Sequence, residues 1–158
     1  MTFNPATRTP QTIIIGIGNE FRNDDAAGII AVRTLQKILP DILCEEQSGE
    51  GTSLMERWKN FEKIIIIDAV SSGADAGTIF RINAQTKTIP SNFFNYSTHK
   101  FSLAEAVELS RTLGELPSRF LIYGIEGKNF SAGEIISAEV LIAVEIIVKE
   151  IAETITSL

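Results

Sequence analysis

Four side chains of this sequence stand where α/β proteins present chemistry: Asp24, Asp25, Asp68 and His99. The two adjacent acids lie in TIIIGIGNEFRNDDAAG, residues 12–28. There an apolar run passes through glycines into a polar loop, then into a helical stretch with Val32, Leu35 and Leu39 on one face. Asp68 directly follows isoleucines 64–67, at the carboxyl end of what reads as a buried parallel strand. Ligand sites of open α/β sheets lie at such strand ends. His99 is the one histidine of the chain, in Ser97-Thr98-His99-Lys100 at the end of a long unpatterned stretch. Two carboxylates and an imidazole suit a borderline divalent ion such as nickel, zinc or iron. Three protein ligands leave coordination positions open for substrate. If the first and third strands are neighbours, Asp25 and Asp68 share one sheet edge. His99 reaches them only if the helix after it packs beneath that edge.

Each residue also has a plainer use. Carboxylates are favoured at helix N-termini, so at least one of Asp24 and Asp25 is expected to be a solvated helix-start acid. A strand-end aspartate can brace a loop, and a loop histidine can simply be exposed. Other chemistries are excluded on motif grounds. Gly16-Ile17-Gly18 lacks the third glycine of a dinucleotide fingerprint, since Phe21 stands in its place. There is no HExxH and no G-x-S-x-G. Cys44, the one cysteine, reads as a small buried hydrophobe, excludes an internal disulfide and fits a reducing compartment.

The elements that must position these groups follow from periodicity. After the first strand and helix, Pro40 stops the helix and residues 42–44 form a second strand. Residues 45–51, EEQSGEG, read as a polar loop. Ser53 and Glu56 read as a capping box for a short helix through Met55 and Trp58, and Ser102 and Glu105 as a second box for a helix ending at Gly114. Residues 78–82 alternate as an edge strand does, and residues 120–125 are another apolar strand. Residues 83–100, with Pro90, Phe93, Phe94 and Tyr96, form a long loop of the kind usually tied to function. From Ser137 one helix runs on, with Val140, Val144, Ile147, Ile151 and Ile155 inward. The order β-α-β-α-β-β-α-β-α predicts a single-domain three-layer α/β/α sandwich with a mostly parallel, roughly five-stranded twisted sheet. Residues 1–11 are expected to be a flexible tail and residues 12–158 the domain.

At 158 residues and 44% hydrophobic composition, one domain can bury its core without disulfide or metal staples. The net charge of −6 and the absence of a Lys/Arg cluster argue against nucleic acid as a partner. Residues 1–10, MTFNPATRTP, have no apolar core for a secretory signal, and no run approaches the ~20 apolar residues of a membrane span. A cytoplasmic protein is expected.

The segments GIGNEFRNDDAAG, the strand ending in Asp68-Ala69, and STHKFSL resemble the endopeptidases that mature [NiFe] hydrogenases. The resemblance covers nearly the whole chain, with the three motifs in the family's order. It implies removal of a C-terminal extension from the hydrogenase large-subunit precursor after nickel insertion. It further implies that Asp25, Asp68 and His99 recognise the nickel carried by the precursor, with no tightly bound cofactor in the enzyme itself. Partners other than the precursor, nucleic acid and membrane included, are not implied, and a monomer is expected. Ala26 stands where many members have glycine, and residues 47–51 replace the family's Asp-Gly-Gly-Thr. SGEGTSLMERW, DAVSSG and YGIEGKNF are closer to a subgroup associated with cytoplasmic hydrogenases. Two mechanisms stay open: nickel polarising the scissile carbonyl or activating water, or a carboxylate of the pair acting as general base. Rival readings are a non-enzymatic nickel chaperone using the same ligands, and a peptidyl-tRNA hydrolase. The latter shares the Gly-x-Gly-Asn turn but needs a histidine soon after it, and none precedes His99.

Overall fold

Alternation within the isoleucine runs decides the layers. Ile13, Ile15 and Ile17 of β1 (Thr12–Ile17) and Ile64 and Ile66 of β3 (Lys63–Val70) pack in one buried cluster, while Ile14, Ile65 and Ile67 pack in another. Both faces are therefore apolar, as a central parallel strand covered by helices requires. In the computed structural model, which describes residues 11–90, 92–94 and 97–156, these strands lie at the centre of a five-stranded sheet. Its order is β2-β1-β3-β5-β4, with β2 spanning Leu43–Gln47, β4 Ile79–Asn83 and β5 Arg119–Glu126. All pairs are parallel except β4 with β5, so β4 is the edge strand the alternation predicts, and it runs antiparallel. In register, Ile14 faces Ile65 and Asp68 faces Gly124.

One face carries α1 (Ala27–Ile38) and α4 (Ala138–Thr156), through Ala31, Val32, Leu35, Val140, Val144, Ile147 and Ile151. The other carries α2 (Gly51–Trp58) and α3 (Leu103–Thr112), through Leu54, Trp58, Leu103, Ala106 and Val107. The Trp58 ring meets Phe120 edge-on at 4.8 Å, and its indole N–H donates to Ser110 Oγ at 3.3 Å, so the largest core side chain leaves no polar atom unpaired. The expected three-layer α/β/α sandwich is what forms. Among the described residues no helix is long and apolar enough to cross a membrane.

Three local expectations need correction. Residues 45–47 are strand rather than loop. Glu45 accepts from Arg57 Nε of α2 at 2.9 Å, and Glu46 accepts from Arg33 of α1 at 2.9 and 3.0 Å. Successive strand residues point to opposite faces, so each glutamate meets the arginine of a different helix layer and the strand runs three residues further than its apolar part. The box at Ser53 and Glu56 does not form. Glu50 caps α2 instead: its carboxylate accepts from the N–H groups of Thr52 and Ser53 at 2.9 Å each, and Ser53 Oγ donates to it at 2.9 Å. At the second box Ser102 is the N-cap of α3, but its hydroxyl donates to Glu105 at 2.9 Å instead of accepting from the backbone. Of the predicted tail, residues 1–10 lie outside the described residues. The carbonyl of Gln11 accepts from the N–H groups of Glu62 and Lys63 at 3.0 and 2.7 Å. Tyr96, assigned to the long loop, also lies outside the described residues.

The backbone N–H bonds from Ser53 and Thr52 hold the Glu50 carboxyl down to about 2, against an ordinary value of 4.5. A depressed folded pKa means the cap stabilises fully above pH 4.5 and is lost as pH falls toward 2. Glu50→Gln is therefore expected to lower the melting temperature at pH 7, with the gap to wild type narrowing steadily below pH 4.5. A gap that is constant across that range would remove the charged cap from the account of α2.

Candidate active site

The turn after β1 is built by close backbone approach. A Cβ on Gly28 would collide with the carbonyl oxygens of Ile67 and Ile17, and one on Gly18 with that of Asp25. The first turn of α1 therefore rests directly on the ends of β1 and β3. The glycines serve this contact. Between strand and helix, residues 19–22 loop out and Asn23–Ala26 forms one 3-10 turn.

That turn gives the paired acids different fates. Asp24 is completely buried and accepts from Lys128 N–H (2.7 Å), Asn129 N–H (3.0 Å), Ser137 N–H (2.7 Å) and Ser137 Oγ (2.8 Å). Burial pushes its carboxyl up, but the hydrogen bonds from Ser137, Lys128 and Asn129 more than offset this and hold it below its ordinary value. Asn23, at φ +50°, extends the same brace: its Nδ2 donates to the Ser131 carbonyl, and its Oδ1 accepts from Ile135 N–H, both at 2.9 Å. Neither acid is the solvated helix-start residue expected, since Asp25 is also only 8% exposed.

Asp25, Asp68 and His99 line one small cleft of about 60 Å³ that opens to solvent above the carboxyl ends of the strands. The rest of its wall comes from Gly18, Asn19 and Arg22 of the first loop, Ser48 and Gly49 after β2, and Phe94, Ser97 and Thr98 of the long loop. β1 and β3 are adjacent, the condition for Asp25 and Asp68 to share an edge. Along β3, Ile64, Ile66 and Val70 belong to the cluster facing α2 and α3, so by strand alternation Asp68 faces that layer too. His99 arrives on the same side because α3 packs there, and its N–H is fixed by Ser97 Oγ at 3.2 Å. The three residues surround a shared space without being drawn into one compact set. Among the described residues, no group of three or more His, Cys, Asp or Glu side chains is gathered closely enough to hold a metal ion.

Two contributors escaped sequence reasoning. Arg22 lines the cleft with its guanidinium anchored by Nε to the Phe130 carbonyl at 3.1 Å. Glu126, buried at the end of β5, accepts from Ser72 N–H (2.8 Å), Ser72 Oγ (2.8 Å) and Gly73 N–H (3.0 Å), pinning the exit of β3 just beyond Asp68. Arginine in a polar loop carries no periodic signal. Glu126 differs from any strand-end glutamate only through residues 54 positions away in sequence.

The family model described as hydrogenase maturation protease matches residues 49–154, two-thirds of the chain and all of it after β2 and the loop. The chain belongs to the hydrogenase maturation protease family. Hydrogenase 2 maturation protease of Escherichia coli is 30% identical over 118 residues, 72% of this chain and 71% of that protein. The hydrogenase expression/formation protein HupD of Thiocapsa roseopersicina is 25% identical over 120 residues, 74% of this chain but only 54% of that protein, so this chain spans about half of it. Among solved structures, the hydrogenase maturating endopeptidase HybD from E. coli superposes with a TM-score of 0.76 at 23% identity, over 93% of both chains, and shares the fold. The [NiFe] hydrogenase maturation protease HybD from Thermococcus kodakarensis does so at 0.66 and 26% identity, over 92% of this chain and 98% of that one.

In this member of the family the Asp24 brace is open to direct test. Asp24→Ala strands four donors in a buried position and is expected to cost at least about 3 kcal/mol in denaturant unfolding. Because the folded pKa is depressed, the carboxylate's contribution is full above its ordinary value of 3.8 and fades as pH falls through the folded value. An Asp24→Ala variant as stable as wild type at pH 7 would show the brace to be energetically idle.

Proposed function

We propose that the protein is a cytoplasmic endopeptidase that removes the C-terminal extension of a [NiFe] hydrogenase large-subunit precursor once nickel is in place. The observation that carries the reading is the shared cleft, in which Asp25 of the 3-10 turn after β1, Asp68 near the carboxyl end of β3 and His99 from the α3 approach face one space. Family membership supports the class of reaction. The nickel is part of the substrate, and the enzyme keeps no tightly bound metal of its own. Asp25, Asp68 and His99 recognise the ion as the precursor docks, which sets the scissile bond in the cleft.

Positioning of this kind can lower a barrier by roughly 7–11 kcal/mol without further chemistry. Hydrolysis then needs an activated water and a polarised carbonyl. A substrate-borne Ni²⁺ can supply both as a Lewis acid. Either aspartate, held by the 3-10 turn or by β3, can instead take the proton of the attacking water, provided it lies within hydrogen-bond reach. The non-enzymatic chaperone reading uses the same three residues and is separated from the protease by product analysis alone.

Incubation with the precursor followed by mass spectrometry of its C-terminus tests the reading. Nickel-loaded precursor should lose its extension, nickel-free precursor should not, and casein should stay intact. Equal cleavage of loaded and unloaded precursor would defeat the role given to nickel, and binding without any cleavage would favour the chaperone. Asp25→Asn, Asp68→Asn and His99→Ala should each abolish processing while melting close to wild type. Ile65→Ala or Ile66→Ala, by contrast, should cost roughly 2–5 kcal/mol through core cavities. Elemental analysis of the purified protein should find little metal.

A further inference from the structure

We infer that Phe21 and Ile135 form a docking surface on the rim of the cleft for the folded body of the precursor protein. This inference rests on the proteolytic reading above. Phe21 is 60% exposed, the most exposed aromatic ring among the described residues, and Ile135 is 80% exposed. A single exposed apolar side chain needs no explanation. These two differ from the others in how their backbones are held and in what lies beside them.

Phe21 sits between residues that line the cleft: Asn19 on one side, Arg22 and Asp25 on the other. Ile135 belongs to the loop before α4, which is laced to the first loop. Gly133 N–H donates to the Phe21 carbonyl, Asn23 N–H to the Gly133 carbonyl, and Ile135 N–H to Asn23 Oδ1, each at 2.9 Å. The buried Asp24 carboxylate holds both loops from beneath. All of these bonds use backbone groups or the side chains of other residues. Neither Phe21 nor Ile135 belongs to either core cluster. The fold therefore does not require an apolar side chain at 21 or at 135.

Apolar groups held rigidly in water pay little ordering entropy on association, which is the property of interface anchors. Phe21 adjoins cleft-lining Arg22 in the chain, and the loop of Ile135 is bonded to the same segment, so an occupant that reaches both this surface and the cleft is a macromolecule. Under the reading above, that molecule is the large-subunit precursor. Glu134 precedes Ile135, while Glu20, before Phe21, is already paired with Arg33 at 3.0 Å. The complementary patch on the precursor is therefore apolar.

The test uses the full chain and nickel-loaded precursor. Binding is measured by calorimetry in an Asp25→Asn background, to avoid turnover, and cleavage is measured separately in the otherwise wild-type chain. Phe21→Ser and Ile135→Ser should each weaken binding by about 5–30-fold, the loss expected of an energetically significant interface residue up to the hot-spot threshold. The loss in kcat/KM should match and lie in KM, with melting temperature unchanged. Phe21→Tyr and Ile135→Val should restore most of the affinity. Leu113→Ser, at an equally exposed site (55%) beyond the far end of α3, should change nothing. Unchanged affinity in the serine variants would overturn the docking surface and leave the proteolytic reading standing. Anchor-dependent binding with no cleavage by the wild-type chain would sink the proteolytic reading but keep the surface. A wild-type dimer abolished by the same serine variants would replace the precursor with a second copy of this chain, and so overturn the inference.

Discussion

The buried charge of Asp24 is the constraint from which the arrangement of the cleft follows. A carboxylate removed from water is costly unless its lone pairs are filled, and here four donors fill them. All four belong to the connection between β5 and α4. The loop after β1 and the connection before α4 are therefore one mechanical unit, although more than 100 residues separate them in sequence. A 3-10 turn has three residues per turn, so neighbouring side chains diverge by about 120°. Once Asp24 is committed to the brace, Asp25 must look elsewhere, and elsewhere is the cleft.

The second aspartate is fixed by parity. In a strand buried on both faces, each residue belongs to one helix layer or the other, and a shift of one register position would exchange them. Asp68 has the parity of Ile66 and Val70, which assigns it to the layer of α2 and α3. His99 precedes α3 and so comes to the same side. Gly28 completes the geometry from the opposite layer, since only a residue without a Cβ lets α1 settle onto the ends of β1 and β3 and bring Asp25 within the same opening.

Much of this could be read from the sequence, and the failures have a common form. The strands, the edge position of β4 and the layer order were legible because isoleucine runs and alternation are local signals. The candidate residues were legible because unusual residue types stood at element ends. What was missed depended on distant partners. Glu45 and Glu46 look like loop residues until Arg57 and Arg33 are placed on opposite faces. Glu50 outcompetes Ser53 as a cap because a longer carboxylate reaches two N–H groups at once. Asp24 looks like a solvated acid until a loop from beyond β5 closes over it. Arg22 and Glu126 owe their importance to the Phe130 carbonyl and to the Ser72 and Gly73 amides, and no local pattern announces such pairings.

The spacing of the three donors bears on how the proposed chemistry would discriminate. A compact set of two carboxylates and an imidazole would take up free divalent ions and remain loaded whatever protein arrived. Donors that line one cleft without closing on a common point ask for an ion that enters with other ligands already attached. Under the proposed reading the precursor supplies those ligands, so recognition requires protein and metal together. A cation bound between carboxylates that share a cleft is attracted to both. The same ion that marks the precursor as complete would then also make its docking in the cleft favourable. A rigid rim suits this arrangement. Because Asp24 and Asn23 hold the first loop in place before any substrate arrives, binding energy need not be spent on ordering Asp25 and can be used to position the scissile bond.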